Sequence, residues 1–318
     1  MPLRGIHLIE KITINPEGLI YLPFGLSQFF GERGRCEASG VCAIWLWNYK
    51  RIKIRIKSMS KIKNTIEQIN NNGKKALSVF LTSGFPTIDK FLDNTNRIIE
   101  AGADLIELGM PFSDPLADGG VIQQSSQIAL QNGITQKQTF QFAEQIKKHN
   151  KTPLILMGYA NTILQYGKNQ FEQDAINAGV DGLIIPDVPL EEFDDFFFPF
   201  STKLDKILLT TPTSSKNRII ELDQKSEGFL YCVSVSGTTG VRDGFDNKVT
   251  QNLETTYKTL SKNKMLVGFG ISTPDNIKQL SPFADGFIVG SAVIKSLQSE
   301  SIDETVNLIK SLKQACEV

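Results

Sequence analysis

The sequence predicts an α/β protein, a (β/α)8 or TIM barrel with an extra N-terminal helix and an unassigned N-terminal extension. Three observations carry that expectation. From Lys74 onward, eight short apolar runs recur without polar/apolar alternation, the pattern of strands buried on both faces of a parallel sheet. Amphipathic helical stretches separate them. Eight such units fill about 250 residues, the size of one barrel. A doubly wound open sheet is the alternative on pattern alone.

The runs are Ala76–Thr82, Asp104–Leu108, Pro153–Met157, Gly182–Pro186, Ile207–Thr211, Phe229–Val233, Met265–Gly268 and Gly286–Val289. Helical patterns cover Asp89–Ala101, Gln136–His149, Phe171–Ala178, Lys216–Ser226 and Asp275–Leu280. A further helix precedes the first strand. Ser60 is placed to cap it, and Asn72-Gly73 to stop it. The joints repeat weakly: Ala101-Gly102-Ala103-Asp104, Ala178-Gly179-Val180-Asp181 and Phe283-Ala284-Asp285. There the Gly suits a left-handed helix end and the Asp starts the turn into a strand. The interval from strand two to strand three is the longest and leaves room for an extended loop and an extra helix. The Phe-rich stretch Phe193–Phe200 reads as a barrel helix packed on the sheet, with a partner surface as its rival.

Charge divides the chain. The 318 residues carry 34 Lys+Arg and 34 Asp+Glu. Residues 1–58 hold nine Lys/Arg against four Glu, a net of +5, so the remaining 260 carry −5. Three readings of 1–58 stand side by side: non-native sequence upstream of a true start at Met59, an organelle-targeting peptide, or an ordered domain. The segment 59–318 is expected to be the catalytic barrel. The Asn-, Lys- and Ile-rich text near Met59 hints at an AT-rich genome, which suits a plastid; cytoplasm or plastid stroma are the compartments expected for a soluble chain.

Small counts exclude several chemistries. The two histidines, His7 and His149, have no metal-like spacing. Cysteines at 36, 42, 232 and 316 form no C-x-x-C pattern and read as reduced thiols. No P-loop occurs, Gly268-Phe269-Gly270 lacks the third glycine of a dinucleotide fingerprint, and no apolar run reaches 18 residues. Zero net charge argues against nucleic acid.

What remains is carboxylate chemistry. Glu107 lies inside the apolar run Leu105–Gly109, where burying an ionised group is expensive. A structural ion pair is the plain explanation. Yet Glu107 sits near the C-terminal end of its strand, where barrel enzymes place catalytic groups. The loop that follows adds Asp114, suited to an Asx turn, and Asp118. An apolar surround raises a carboxyl pKa and poises it for proton transfer. Two Gly-bearing loops, Gly268-Phe269-Gly270 and Gly290-Ser291-Ala292, follow strands seven and eight, where barrels commonly bind phosphate. The loop 234–244 contributes Gly237, Gly240 and Gly244, the composition of a mobile lid.

The thirteen residues Glu107-Leu108-Gly109-Met110-Pro111-Phe112-Ser113-Asp114-Pro115-Leu116-Ala117-Asp118-Gly119 resemble the signature of the tryptophan synthase alpha chain family. The resemblance extends over 59–318 through Phe80–Gly84, Tyr159-Ala160-Asn161, Pro186–Pro189, Tyr231, Ser236–Gly240, Gly268–Ser272 and Gly290–Ala292. It implies a (β/α)8 lyase that splits indole-3-glycerol phosphate into indole and glyceraldehyde 3-phosphate. It implies Glu107 as the acid/base at indole C3 and the side-chain hydroxyl, and Asp118 as acceptor for the indole N–H. Phe80, Tyr159, Tyr231 and Phe269 would hold the indole. Gly240, Gly270, Gly290 and Ser291 would hold the phosphate, with Thr239 organising the closed lid. It implies no metal and no cofactor in this chain, and a beta chain holding pyridoxal phosphate, joined in an alpha2-beta2 tetramer. The rivals are a stand-alone lyase, another phosphate-binding barrel and a non-catalytic activator of the beta chain. Three positions depart from the family: Gly120 where Pro is frequent, Phe85 where many members have Asp, and Val235 where some carry Arg.

Overall fold

The computed structural model describes residues 13–14, 20–21, 60–198, 200, 203–234, 245–299 and 301–317. The chain divides into two compact units, Met1–Ile56 and Lys57–Val318. In the first unit, Thr13–Ile14 and Ile20–Tyr21 pair antiparallel, with Thr13 opposite Tyr21. The expectations for the rest of 1–58, and for Met59 as a start, lie outside the described residues.

The second unit is a closed barrel of eight parallel strands. They are β1 (Ala76–Thr82), β2 (Leu105–Gly109), β3 (Leu154–Met157), β4 (Gly182–Ile184), β5 (Asp205–Thr210), β6 (Leu230–Val233), β7 (Met265–Gly268) and β8 (Gly286–Val289). They pair in chain order, and β8 closes on β1 with Gly286 opposite Ala76. Nearly every strand residue is buried, because helices cover the outer face while the inner face fills the barrel. This excludes the open sheet.

Helix α1 (Lys61–Asn71) starts at Ser60, whose Oγ accepts from the Lys63 N–H at 3.0 Å and which also donates to Asp205. Its buried Ile62 lies over Gly182 and Gly228, so a side chain at either glycine would collide with it or crowd it. The helix therefore plugs the mouth formed by the strand starts. The β2–β3 interval holds the expected extra helix: α2 (Gly120–Gln131) precedes α3 (Gln136–His149). In the Phe-rich stretch, Phe196, Phe197 and Phe200 join the core and Phe198 alone among them is exposed.

The joint motif does more than start a turn. The Asp104 N–H donates to the Leu77 carbonyl at 2.9 Å, while its carboxylate accepts the Leu77 N–H at 2.8 Å. Asp181 makes the same two-way link to Leu154, and Asp285 to Met265. Each aspartate so ties the start of an even-numbered strand to the strand before it. At β6 the role passes to Ser226 and Glu227, which bond the N–H groups of Leu208 and Lys206.

Several strand ends need correcting. β5 begins at Asp205 rather than Ile207: both Asp205 and Lys206 are buried, and Lys206 pairs with Glu227 at 3.7 Å. β4 stops at Ile184 rather than Pro186. Pro186 has no N–H to give the ladder, and a turn closes there with Val188 N–H on the Ile185 carbonyl at 3.2 Å. β2 runs one residue later than expected, since Asp104 serves as the tie. A short helix, α4 (Ala160–Tyr166), occupies what reads as loop, and Gly167 in a left-handed conformation separates it from α5 (Lys168–Asn177).

Candidate active site

Side chains alternate along a strand, so register decides what faces inward. Phe80 on β1 stands opposite Glu107, which stands opposite Ile155 on β3. Tyr231 on β6 stands opposite Leu209 and Leu266. One cavity at the C-terminal ends of the strands is lined by Phe80, Glu107, Asp118, Tyr231, Phe269, Gly270, Gly290 and Ser291. Eight of the eleven expected site residues thus meet in one place. Tyr159 is not among the lining residues and instead bonds Ala117 and Asp118. Thr239 and Gly240 lie outside the described residues, as does Val235.

Glu107 is fully buried, and burial pushes its pKa up to about 7. The Ser78 hydroxyl donates to Oε1 at 2.8 Å and opposes that rise. Among the described residues Oε2 has no hydrogen-bond partner. No cation among them acts on Glu107, so the ion-pair explanation is corrected.

Asp118 reaches the cavity on a loop built to hold it. Its N–H donates to the Pro115 carbonyl at 3.0 Å, and Gln123 Nε2 donates to its own carbonyl at 2.9 Å. The Tyr159 hydroxyl accepts the Ala117 N–H at 3.0 Å and bonds the Asp118 carboxylate. Burial raises Asp118 to about 6 against that bond. The Tyr159 hydroxyl is itself pushed well above the usual tyrosine value by burial and by Asp118. Its ring stacks on Phe112 with centroids 5.3 Å apart. Asp114 is exposed and its carbonyl accepts the Leu116 N–H, so it organises the loop and stays out of the cavity.

The β7 and β8 loops supply Phe269, Gly270, Gly290 and Ser291 to the lining. Phe269 (φ 68°) and Gly270 (φ 82°) turn the chain sharply after β7, and the Ser234 hydroxyl holds the Phe269 carbonyl. The Phe269 ring meets Tyr231 edge-on at 6.1 Å. Gly268 leaves space for the Tyr231 ring: a Cβ there would lie 2.3 Å from the phenol oxygen. After β8, Gly290 leads into the short helix Ser291–Ser296. The first N–H groups of a helix have no partner within it and favour an anion.

Sequence reasoning missed Ile122, Met157, Ile271 and Ile288 as lining residues. Met157 and Ile288 were within reach, since period-two counting places them inward. Ser78 carried no signal: a single serine in an apolar run means nothing until the fold brings it diagonally across from Glu107, one inward pair along the β1–β2 ladder. Of the departures, Gly120 begins α2, and Phe85 is buried in the core.

Residues 66–318 match the sequence model of the tryptophan synthase alpha chain family. The chain is 39% identical over 266 residues to the tryptophan synthase alpha chain of a Thermoanaerobacter species, covering 80% of this chain and 99% of the relative. It is 40% identical over 258 residues to that of Bacillus cereus, covering 80% and 98%. The crystal structure of the alpha chain from Legionella pneumophila subsp. pneumophila superposes with a TM-score of 0.74 at 35% identity, covering 81% of this chain and 98% of that one. The chain belongs to the tryptophan synthase alpha chain family, lyases that act on indole-3-glycerol phosphate.

Proposed function

We propose that Glu107 and Asp118 carry out the cleavage of indole-3-glycerol phosphate to indole and glyceraldehyde 3-phosphate. The carrying observation is that two carboxyl groups, both raised by burial, line one cavity that Gly270, Gly290 and Ser291 also line. Glu107 begins protonated and gives its proton to indole C3. The ring nitrogen becomes positive, and the Asp118 carboxylate accepts its N–H. Glu107, now ionised, takes the proton from the side-chain hydroxyl beside the ring. The C–C bond breaks, its electrons neutralise the ring, and the aldehyde leaves. Glu107 ends as it began, so the proton count closes within this chain. Phe80, Tyr231 and Phe269 sandwich the indole, while the backbone of Gly270, Gly290 and Ser291 holds the phosphate together with the Gly240 N–H, Thr239 organising the closed state of its loop.

Indole release by wild type, Glu107→Gln and Asp118→Asn tests this. A general acid contributes roughly 10²–10⁴-fold, so Glu107→Gln should lose about 10³-fold or more and Asp118→Asn about 10²-fold. Wild-type turnover by Glu107→Gln refutes the assignment.

The family works with a beta chain. The proposed assembly is an alpha2-beta2 tetramer in which the beta chain holds pyridoxal phosphate, receives indole and joins it to serine; sedimentation of the mixed chains reads the stoichiometry. No helix among the described residues is long and apolar enough to cross a membrane. A plastid address rests on the basic extension and the text near Met59 alone, and the relatives named above are bacterial.

A further inference from the structure

We infer that Ser78 is a positioning residue for the proton transfer: its hydroxyl pins Oε1 of Glu107 and leaves Oε2 as the oxygen that exchanges the proton. This rests on the reading of Glu107 as the acid/base.

Ser78 lies on β1, opposite Leu105 on one side and Ile288 on the other, so its inward neighbours in the ladder are apolar. It is fully buried. A hydroxyl in such a layer is costly unless it is bonded. Its Oγ lies 2.8 Å from Glu107 Oε1. The bond is therefore the reason a polar side chain is tolerated there. The carboxyl torsion is broad and nearly two-fold, and a tie to one oxygen removes its freedom to present either. Oε2 is buried and has no hydrogen-bond partner among the described residues, which is the state of an oxygen reserved for a ligand. Ser78 itself does not line the cavity, so its influence on turnover runs through Glu107.

The bond favours the ionised carboxylate and works against burial. Removing it therefore raises the Glu107 pKa. Because the reaction begins from protonated Glu107, the alkaline limb of the rate profile moves to higher pH. A hydrogen bond to a charged group is worth about one pH unit.

The test measures kcat and KM for indole release from pH 5.5 to 9 in Ser78→Ala and in the near-isosteric pair Ser78→Thr and Ser78→Val. Difference infrared titration of the Glu107 carboxyl, with Glu107→Gln as the blank, reads the same shift without turnover. The expected result is an alkaline limb about one unit higher in the Ala and Val variants, kcat about tenfold lower and KM unchanged. Thr should retain both limb and rate. A limb that stays in place in Ala and Val overturns the inference. Equal impairment of Thr and Val does too, since it would mark a volume effect. If Glu107→Gln is inactive while the Ala and Val variants titrate as wild type, only the Ser78 role fails. If Glu107→Gln turns over normally, the proposed function fails with it.

Discussion

Gly268→Ala should damage the active site from the wall rather than from the chemistry. The added methyl would sit 2.3 Å from the Tyr231 oxygen, 2.6 Å from Cζ and 2.7 Å from Cε1. Carbon contacts are comfortable from about 3.5 Å, so the ring must move by about 1 Å. Tyr231 is buried, and the Phe269 ring meets it edge-on. The free direction is the cavity it already lines, where the indole belongs. A displacement of about 1 Å at a reacting site lowers kcat/KM by about 10²-fold. Overpacking costs about 1–3 kcal/mol, visible as a lower melting temperature. Indole release gives the first number and thermal unfolding the second. Adding Tyr231→Phe removes the 2.3 Å contact and leaves the 2.6 Å one, so the double variant should recover part of the loss. A Gly268→Ala enzyme with wild-type kcat/KM and stability would refute the reasoning.

The rate profile should be a narrow bell. Asp118 must be ionised, so activity falls as pH drops through about 6, and Glu107 must start protonated, so it falls as pH rises through about 7. At pH ~6.5 about 60% of the enzyme is competent, and at pH ~8.5 about 3%; a flat profile between pH 5.5 and 8.5 would oppose the assignment. Asp181→Ala leaves the Leu154 N–H without its acceptor and Lys147 without its 2.7 Å partner. It should lose about 2–3 kcal/mol in urea unfolding, and a change below about 0.5 would count against the tie. Gly120→Pro should stabilise by about 0.4–1 kcal/mol. Gly120 is the first residue of α2, and Gly119 is extended (φ −81°, ψ 163°), as a residue before proline must be; a lower melting temperature would contradict this.

The barrel was legible because double-sided burial erases alternation, and eight such erasures in a row have few other meanings. The strand ends were less so. Asp205 and Lys206 read as loop because charge ordinarily stays wet, yet here buried Lys206 pairs with Glu227. The carboxylates were legible for the opposite reason: Glu107 in an apolar run demands a justification. Tyr159 was placed with the indole by its loop position, whereas its hydroxyl braces Ala117 and Asp118. That brace depends on how the β2 and β3 loops meet in space, which spacing along the chain does not encode. The same holds for Ser78, whose partner is 29 residues away.

Asp104 precedes Glu107 by three residues on the same strand. Its paired bonds to Leu77 decide which residue of β2 stands beside which residue of β1. Slide that pairing by one place and every side chain changes sides. Leu108 would then enter the barrel, and Glu107 would turn outward among the helices. The orientation of the acid/base is thus set at the far mouth, about 10 Å below the chemistry, by a residue no substrate ever meets.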